Sequence, residues 1–485
     1  MLHNTRSLLV LPDELILEII AYCNVEEAIQ IGRAPDVTRS QLIETLSTAE
    51  LRSKAIRAVR IAHSWRTLGA LHVTEESVLH VGTRTLDIDR DANTNHSTWV
   101  EPYILSNCKY VLLDNRGQLE LWSMVSRRRI WASPSSTENR RDCFSFNFEL
   151  QEDGDVLVVA ATFLNVAWGT CSLCVYKIDF RTGDNGLVIE RTVPMTHLIR
   201  LMVRGDLIMV HLRLHLKIIL LNWRTSSALV LDLSRVTGRR TNIRASLISD
   251  HHLIVALYLD TLTLFAYHLS KMEGYWSHSP VFSEWVRSGR AFARGTLSQS
   301  EHSNSGAQDV LHFSLADSLC NTNYPPYLLS LHAFQPAWTG KDTLTEIYVV
   351  GHDLEQDGTK HLLSYRIQLS RVSGSGASPT DGLSECEASN GTWRLALVSQ
   401  NRAVAESIPR ESSTISNAGR IFSLRENFEC YSLFCDMPQP VNMISLASGM
   451  LPEGVDACPA TVTAEPTSGI IAIGTPGLVR IIQFE

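Results

Sequence analysis

Sequence signatures of the common catalytic centres are missing from this chain. It contains no Gly-x-Ser-x-Gly elbow, no His-Glu-x-x-His pair and no glycine-rich phosphate loop that ends in Lys-Ser or Lys-Thr. The first motif exposes a nucleophilic serine, the second holds a catalytic zinc ion, and the third wraps the phosphates of a nucleotide. We therefore expect neither a catalytic centre nor a cofactor.

Cysteine pairs with metal-binding spacing are scarce as well. Cys171 and Cys174 have the spacing of half a zinc site, but the chain has no second pair of this kind. On a β-strand, side chains three residues apart point to opposite faces of the sheet. We interpret both as core cysteines and predict no metal site.

A surplus of positive charge is also absent. The chain has 43 Lys and Arg residues against 51 Asp and Glu residues, which gives a formal net charge of -8. Proteins that bind nucleic acids in general carry a basic excess, because phosphate contacts dominate their affinity. The charge balance therefore argues against a nucleic-acid partner.

Neither a signal peptide nor a membrane span is expected. The first residues hold too few apolar positions for a secretory signal, and the ten cysteines have no regular spacing. Reduced thiols and a location in the cytoplasm, the nucleus or both follow. The range Val156 to Tyr176 lacks charge over the length of a bilayer span, but polar residues and the turn at Trp168-Gly169-Thr170 interrupt it. We interpret this range as two buried strands around a turn.

What the chain does have is enough material for two domains. Its 485 residues are 44% hydrophobic and 19% charged, which is typical of globular proteins. Leu11-Pro12 begins an amphipathic helix, because proline suits a first helical turn and Asp13 and Glu14 place negative charge at its positive end. Apolar residues then recur at three- and four-residue steps up to Cys23, so one face of this short helix must pack on something.

The stretch from Leu11 to Tyr22 resembles the opening of the F-box, the helical module that docks substrate receptors onto the adaptor of SCF-type ubiquitin ligases. Cys23 and Glu27-Ala28 depart from the usual leucine and aspartate-leucine of that motif. The segment Ala62–Arg66 also looks like the tryptophan-containing helix that follows the F-box in many fungal receptors. The resemblance implies adaptor-binding residues at Leu11, Pro12, Leu15, Ile19, Ile20, Val25 and Ile29.

At about residue 72 the spacing of apolar residues changes from the helical period of about 3.6 residues to the strand period of two. Apolar hairpins follow, for example Val111–Trp122 and Val156–Tyr176, with further units predicted at 310–334, 347–367, 421–434 and 470–484. Their recurrence predicts a mainly β chain with a seven- or eight-bladed, divergent WD-like β-propeller, although no Trp-Asp dipeptide occurs. A pair of β-sandwiches is the alternative.

These patterns predict three parts. Residues 1–48 would form the F-box-like helical domain, 49–70 a linker helix, and 71–485 the propeller-like substrate-recognition domain. Two stretches rich in Ser, Gly, Thr and Asn, near 295–308 and 370–417, read as mobile insertions, the second interrupted by Trp393–Val398. The final strands would close the ring against 72–100.

Grouped arginines are the remaining candidate for chemistry. They occur at Arg127-Arg128-Arg129, Arg140-Arg141 and Arg239-Arg240. Guanidinium groups bind carboxylates and phosphates through paired hydrogen bonds, so Arg127, Arg128, Arg129, Arg239 and Arg240 are candidates for holding an acidic or phosphorylated peptide. Solvated turns are the simpler interpretation.

The resemblance and the repeats together predict a substrate-recognition subunit of a ubiquitin ligase with no active site of its own. Its partners would be the adaptor, the cullin scaffold reached through the adaptor, and an unknown protein substrate. Two alternatives stay open. One is a propeller scaffold that binds proteins without any adaptor, and the other is a propeller hydrolase with carboxylates at its central channel.

Overall fold

The computed structural model of the chain describes residues 80–484, with gaps. The longest gaps are 88–99, 234–242, 279–309, 316–326, 335–343, 372–385, 405–413, 433–440 and 443–460. Across the described residues there are 29 β-strands and no α-helix. None of these residues forms a helix with the length and apolar character that a membrane crossing requires. The predicted F-box-like domain and linker helix lie outside the described residues.

The strands form seven antiparallel sheets that follow one another along the chain. Sheet 1 contains β2 (Val100–Ile104), β3 (Tyr110–Asn115), β4 (Gln118–Ser123) and β5 (Arg129–Ala132); sheet 2 contains β6 (Arg141–Gln151), β7 (Val156–Asn165), β8 (Thr170–Asp179) and β9 (Asn185–Pro194). Sheet 3 contains β10 (Ile199–Arg204), β11 (Leu207–Leu212), β12 (Lys217–Asn222) and β13 (Ser227–Asp232); sheet 4 contains β14 (Ile243–Ile248), β15 (His252–Tyr258), β16 (Leu262–His268) and β17 (Val310–Leu315).

The remaining sheets continue the series, and the last of them includes the first strand of the chain. Sheet 5 contains β18 (Tyr327–Phe334), β19 (Leu344–Leu354), β20 (Lys360–Arg371), β22 (Trp393–Val404) and, outermost, β21 (Cys386–Glu387). Sheet 6 contains β23 (Thr414–Ile415), β24 (Arg420–Leu424), β25 (Phe428–Ser432) and β26 (Val441–Asn442). Sheet 7 contains β27 (Thr461–Glu465), β28 (Ile470–Thr475), β29 (Leu478–Phe484) and β1 (His80–Asp87).

Local sequence explains the tight turns within these sheets. Between β3 and β4, Gly117 has a φ of 78°, a left-handed value that glycine adopts without a steric penalty. Its amide donates to Asp114 Oδ1 at 3.0 Å, which is the usual way an aspartate closes a turn. Asp179 does the same between β8 and β9, where its Oδ1 accepts from the amides of Arg181 and Thr182.

The core of the molecule lies between consecutive sheets rather than at one centre. Inner strands are buried on both faces, so their sequences are nearly continuous apolar runs, as in β11 and the centre of β12. Separate apolar clusters join sheet 7 to sheet 1, sheet 1 to 2, 2 to 3, 3 to 4 and 4 to 5. Each sheet therefore needs its neighbours to bury its faces, as in folds that repeat similar sheets around an axis.

This arrangement resembles a β-propeller and differs from a pair of sandwiches, in which only two sheets would pack face to face. The predicted closure is present, because β29 pairs with β1 as well as with β28. The predicted unit 310–334 is divided: β17 completes sheet 4, whereas β18 begins sheet 5.

The predicted insertions have different outcomes. The range 295–308 lies outside the described residues. Within 370–417, β20 continues to Arg371 and β22 runs for twelve residues in register with β20. This part of the range is strand rather than loop, because Leu395 and its neighbours pack into the core between sheets 4 and 5.

Candidate binding surface

The structure describes only some of the residues proposed from sequence. The seven adaptor-binding candidates, Leu11 to Ile29, lie outside the described residues, and so do Arg239 and Arg240. Arg127 and Arg128 lie in the connection between β4 and β5, and Arg129 is the first residue of β5. We call Met124–Ile130 the basic turn.

The backbone of the basic turn is fixed by its own hydrogen bonds. The amide of Ser123 donates to Arg128 O at 3.0 Å, and the amide of Arg127 donates to Ser123 O at 2.9 Å. Ser123 Oγ also accepts from the amide of Ser126 at 3.1 Å. Arg127 has a φ of 56°, in the left-handed region that few side chains adopt. The turn therefore holds its exposed side chains in a defined arrangement.

The three arginines of the turn differ in their partners. Arg129 Nη1 lies 3.1 Å from Oε1 of Glu120, whose side chain is only 3% exposed. Glu120 Oε2 also accepts from the indole nitrogen of Trp122 at 2.9 Å. Arg129 thus neutralises a buried carboxylate. Arg127 and Arg128 are exposed and have no ion pair with any residue that the structure describes, which leaves their charge open to an external anion.

Apolar side chains accompany this charge. Val125 is 76% exposed and Ile130 is 41% exposed, which makes them two of the few large hydrophobic residues exposed in the described part of the chain. Leu187 and Val188 on β9 are two more, at 48% and 44%. Exposed apolar groups beside charged ones are typical of sites where proteins interact.

Aromatic contacts bring the basic turn close to the start of β9. The amide of Met124 donates to Lys109 O at 2.8 Å, and the next residue, Tyr110, stacks on Phe180 with ring centroids 4.2 Å apart. Phe180 begins the connection between β8 and β9. Burial and the negative charge of Asp155 raise the pKa of Tyr110 above its usual value. The turn is therefore anchored to sheet 2 by a stacked ring pair.

A second link runs through the outer strand β5. The rings of Trp131 on β5 and Tyr176 on β8 meet edge to face at 5.2 Å. Tyr176 pairs in register with Leu187 on β9. We call the exposed residues Val125, Arg127, Arg128, Ile130, Leu187 and Val188 the sheet 1–2 surface.

Another charged group lies in sheet 5. Arg402 Nη2 lies 2.7 Å from Glu355 Oε1 and 3.2 Å from Asp353 Oδ2. His361 Nδ1 is 3.4 Å from Asp353 Oδ1. Burial opposes the charge of Arg402, but its bonds to the two carboxylates outweigh this effect and raise its pKa. The two carboxylates share one guanidinium, and these contacts join the strands of sheet 5. Among the described residues, no set of His, Cys, Asp and Glu side chains has the arrangement of a metal site.

The interpretation of Cys171 and Cys174 as core cysteines is confirmed. Both are buried, and they lie on opposite faces of β8. Cys171 packs in the cluster between sheets 2 and 3, and Cys174 in the cluster between sheets 1 and 2. Burial raises the pKa of Cys171 to about 11, which keeps it in the thiol form.

Sequence reasoning did not identify Leu187 and Val188. Their stretch, Asn185-Gly186-Leu187-Val188-Ile189, contains three adjacent apolar residues, which would normally indicate a buried strand. Only Ile189 is buried. A bulge between Val175 and Tyr176 of β8 leaves Val188 without a register partner, and a bulge can redirect a side chain in this way.

Comparisons with known proteins concern the fold alone. No protein-family model matches the sequence, and no curated protein sequence is significantly similar to it. The structure is similar to the crystal structure of the WD40 domain of SCAP from fission yeast, with a TM-score of 0.42 and 11% sequence identity. That similarity covers 80% of this chain and 84% of the SCAP domain.

Proposed function

We propose that this chain is the substrate-recognition subunit of an SCF-type ubiquitin ligase and has no catalytic centre of its own. The observation that carries this proposal is the F-box-like pattern from Leu11 to Tyr22, placed ahead of a series of antiparallel sheets that resembles a propeller. A propeller-like array offers surface for protein partners. The F-box-like segment would connect such a partner to a ligase.

The two parts have different roles in this proposal. Apolar residues of the first helices bind the ligase adaptor, and the adaptor in turn binds the cullin scaffold. These residues are Leu11, Pro12, Leu15, Ile19, Ile20, Val25 and Ile29. The sheets hold the substrate, so that a substrate lysine meets the ubiquitin-charged enzyme at a high effective concentration.

The adaptor contact is tested by replacing two residues of the F-box-like segment. Pro12→Ala with Ile20→Ala should abolish co-purification of the adaptor, because truncating one buried isoleucine alone costs about 2–5 kcal/mol. Retention of the recombinant adaptor is measured at micromolar concentration. Val398→Ala is the control, since Val398 lies on β22, is exposed and should leave retention unchanged. A wild-type chain that does not retain the adaptor would favour the propeller scaffold instead.

The substrate contact is tested at the basic turn. Arg127→Ala with Arg128→Ala should weaken the binding of acidic or phosphorylated peptides, and the loss should shrink as salt is added, because exposed charges are screened. Binding is measured by fluorescence anisotropy at two salt concentrations. Arg181→Ala is a matched control: this arginine is also exposed, but it lies 3.6 Å from Asp155 and 3.9 Å from Asp179. Equal loss in both variants would contradict a specific role for the basic turn.

A further inference from the structure

The outer edge of sheet 2 is formed by β9, which has ten residues. The sheet ends at this strand, because within the described residues nothing pairs with the side of β9 that faces away from β8. A strand at the edge of a sheet presents backbone N–H and C=O groups to its surroundings, and these groups can pair with another extended chain.

Two other outer strands of the molecule are covered in part by the chain itself. In sheet 5, β21 pairs with the outer side of β22. In sheet 3, Ser277 bridges to Ala228 on β13, with both backbone hydrogen bonds at 2.8 Å. These two cases show that outer edges of this array form backbone hydrogen bonds with further segments, in one case with a short strand.

The uncovered edge of β9 also carries an apolar anchor. Leu187 and Val188 are both about half exposed, side by side in the chain. By contrast, β5 has only four residues, and an edge of that length offers few backbone groups for pairing. Of the uncovered outer strands in sheets 1 and 2, β9 therefore offers the longer edge and the larger apolar contact.

Packed residues of sheets 1 and 2 connect this anchor to the basic turn. Leu187 pairs with Tyr176, and the ring of Tyr176 contacts the ring of Trp131. Arg128 lies three residues before Trp131, so their Cα atoms are about 10 Å apart at most. Arg127 and Arg128 form no ion pair with any other described residue. A segment that lies along β9 would therefore find negative charge favoured at the end nearer the basic turn.

We propose that β9 binds an extended segment of a protein partner as a fifth strand of sheet 2. The segment places apolar side chains on Leu187 and Val188 and acidic side chains near Arg127 and Arg128. Main-chain hydrogen bonds to the edge supply affinity, and the alternate side chains supply specificity. This inference rests on the proposed function in one respect, because it takes the partner to be a protein.

The partner, rather than a second copy of this chain, is favoured by charge. In a symmetric antiparallel pair of β9 strands, each strand would bring Glu190 together with the adjacent Arg191, so it would supply no net negative charge to Arg127 and Arg128 of the other copy. An acidic segment of another protein supplies that carboxylate directly.

The experiment selects peptides and asks where they bind. A displayed library of random twelve-residue peptides is selected on the immobilised full-length chain, and the enriched peptides are measured by fluorescence anisotropy. We expect alternating apolar residues with acidic residues at one end. The double variant Leu187→Lys with Val188→Lys should weaken their binding at least tenfold. Val398→Lys, which changes a similarly exposed valine on β22 of sheet 5, should change it less than twofold.

Hydrogen exchange supplies a second measurement that does not depend on the variants. A bound peptide should slow exchange at the amides of 185–192 and leave those of β22 unchanged. Enriched peptides that bind the double variant as tightly as the wild type would overturn the inference, as would a selection that enriches none. Slow exchange at 185–192 in the free monomer would show that the chain covers β9 itself, and a wild-type dimer that the double variant dissociates would assign the edge to a second copy.

The two proposals can fail separately. The double variant should retain the adaptor as the wild-type chain does, since the substitutions lie on sheet 2. If neither chain retains the adaptor while the peptides still require Leu187 and Val188, the ligase proposal fails and the inference about β9 stands.

Discussion

Glu120 shows how a buried charge supports the basic turn at the scale of a single residue. Its side chain accepts hydrogen bonds from Trp122 at 2.9 Å and from Arg129 at 3.1 Å. Glu120→Ala leaves the indole N–H of Trp122 without this acceptor, and we expect a loss of about 2 kcal/mol in the free energy of unfolding. Glu120→Gln, which keeps one acceptor oxygen, should lose about half as much.

The measurement is the midpoint of urea unfolding, with Glu101→Ala as the control. Glu101 also accepts a hydrogen bond, from Tyr103 at 2.7 Å, but its side chain is exposed, so its removal should change stability by less than about 0.5 kcal/mol. Equal midpoints for Glu120→Ala and the control would show that the buried carboxylate does not stabilise the turn.

His332 on β18 should make stability depend on pH. Burial and the positive charge of Arg200 lower its pKa to about 3, whereas a histidine in the unfolded chain has a pKa of about 6.5. Between these values the unfolded state binds one proton more than the folded state. The contribution of His332 to the free energy of unfolding should therefore fall by about 1.4 kcal/mol for each pH unit between pH 6.5 and pH 3.

The change that tests this is His332→Gln, which cannot take up the proton. Urea midpoints measured at pH 7.5 and pH 5.5 should differ less in this variant than in the wild type. His278→Gln controls for the loss of a histidine at an exposed position. The prediction fails if the wild-type and His332→Gln chains lose the same stability between the two pH values.

At the scale of the strand, sequence succeeded where the signal is local and apolar. The hairpins Val111–Trp122 and Val156–Tyr176 were predicted because their buried strands are apolar on both faces and their turns carry Asp-x-x-Gly or Trp-Gly-Thr. These strands correspond to β3 with β4 and β7 with β8. Their structure follows from residues close together in the chain.

Outer strands were harder to predict, because their residues are half exposed and their pairing depends on distant segments. In β5 and β22, charged residues interrupt the apolar run, and each strand is fixed by its neighbour in the sheet. The range 370–417 was predicted to be an insertion, interrupted by Trp393–Val398, because it is rich in Ser, Gly, Thr and Asn. The same limit applies to the sheet 1–2 surface, since the ring contact of Tyr110 with Phe180 joins residues from two sheets.

For the whole molecule, the repeating hairpins predicted a propeller-like array, and the structure describes seven sheets in chain order. Hydrophobicity alone could not assign β17 and β18 to different sheets. The two strands have similar composition, and their assignment depends on the neighbours with which they pair. The repetition of sheets was enough to predict that the array closes, because an unclosed series of sheets would expose an unpaired edge at each end.

That closure gives a prediction for the intact molecule. Deleting residues 478–485 removes β29, which lies between β28 and β1. Among the described strands, β1 then loses its one partner and β28 keeps only β27. The deletion also removes Val479 and Ile481 from the core shared with sheet 1, where a single truncation costs about 2–5 kcal/mol. The combined loss approaches the whole stability of a typical domain, about 5–15 kcal/mol.

We therefore expect the truncated chain to elute as aggregate rather than monomer in size-exclusion chromatography. Deleting the first eight residues instead, which precede every described strand, should leave a monomer with the wild-type urea midpoint. The double variant Val479→Ala with Ile481→Ala should lie between the two, because it keeps the pairing of β29 and loses only its packing. A truncated chain that stays monomeric at the wild-type midpoint would mean that the pairing of the first strand with the last does not hold the array together.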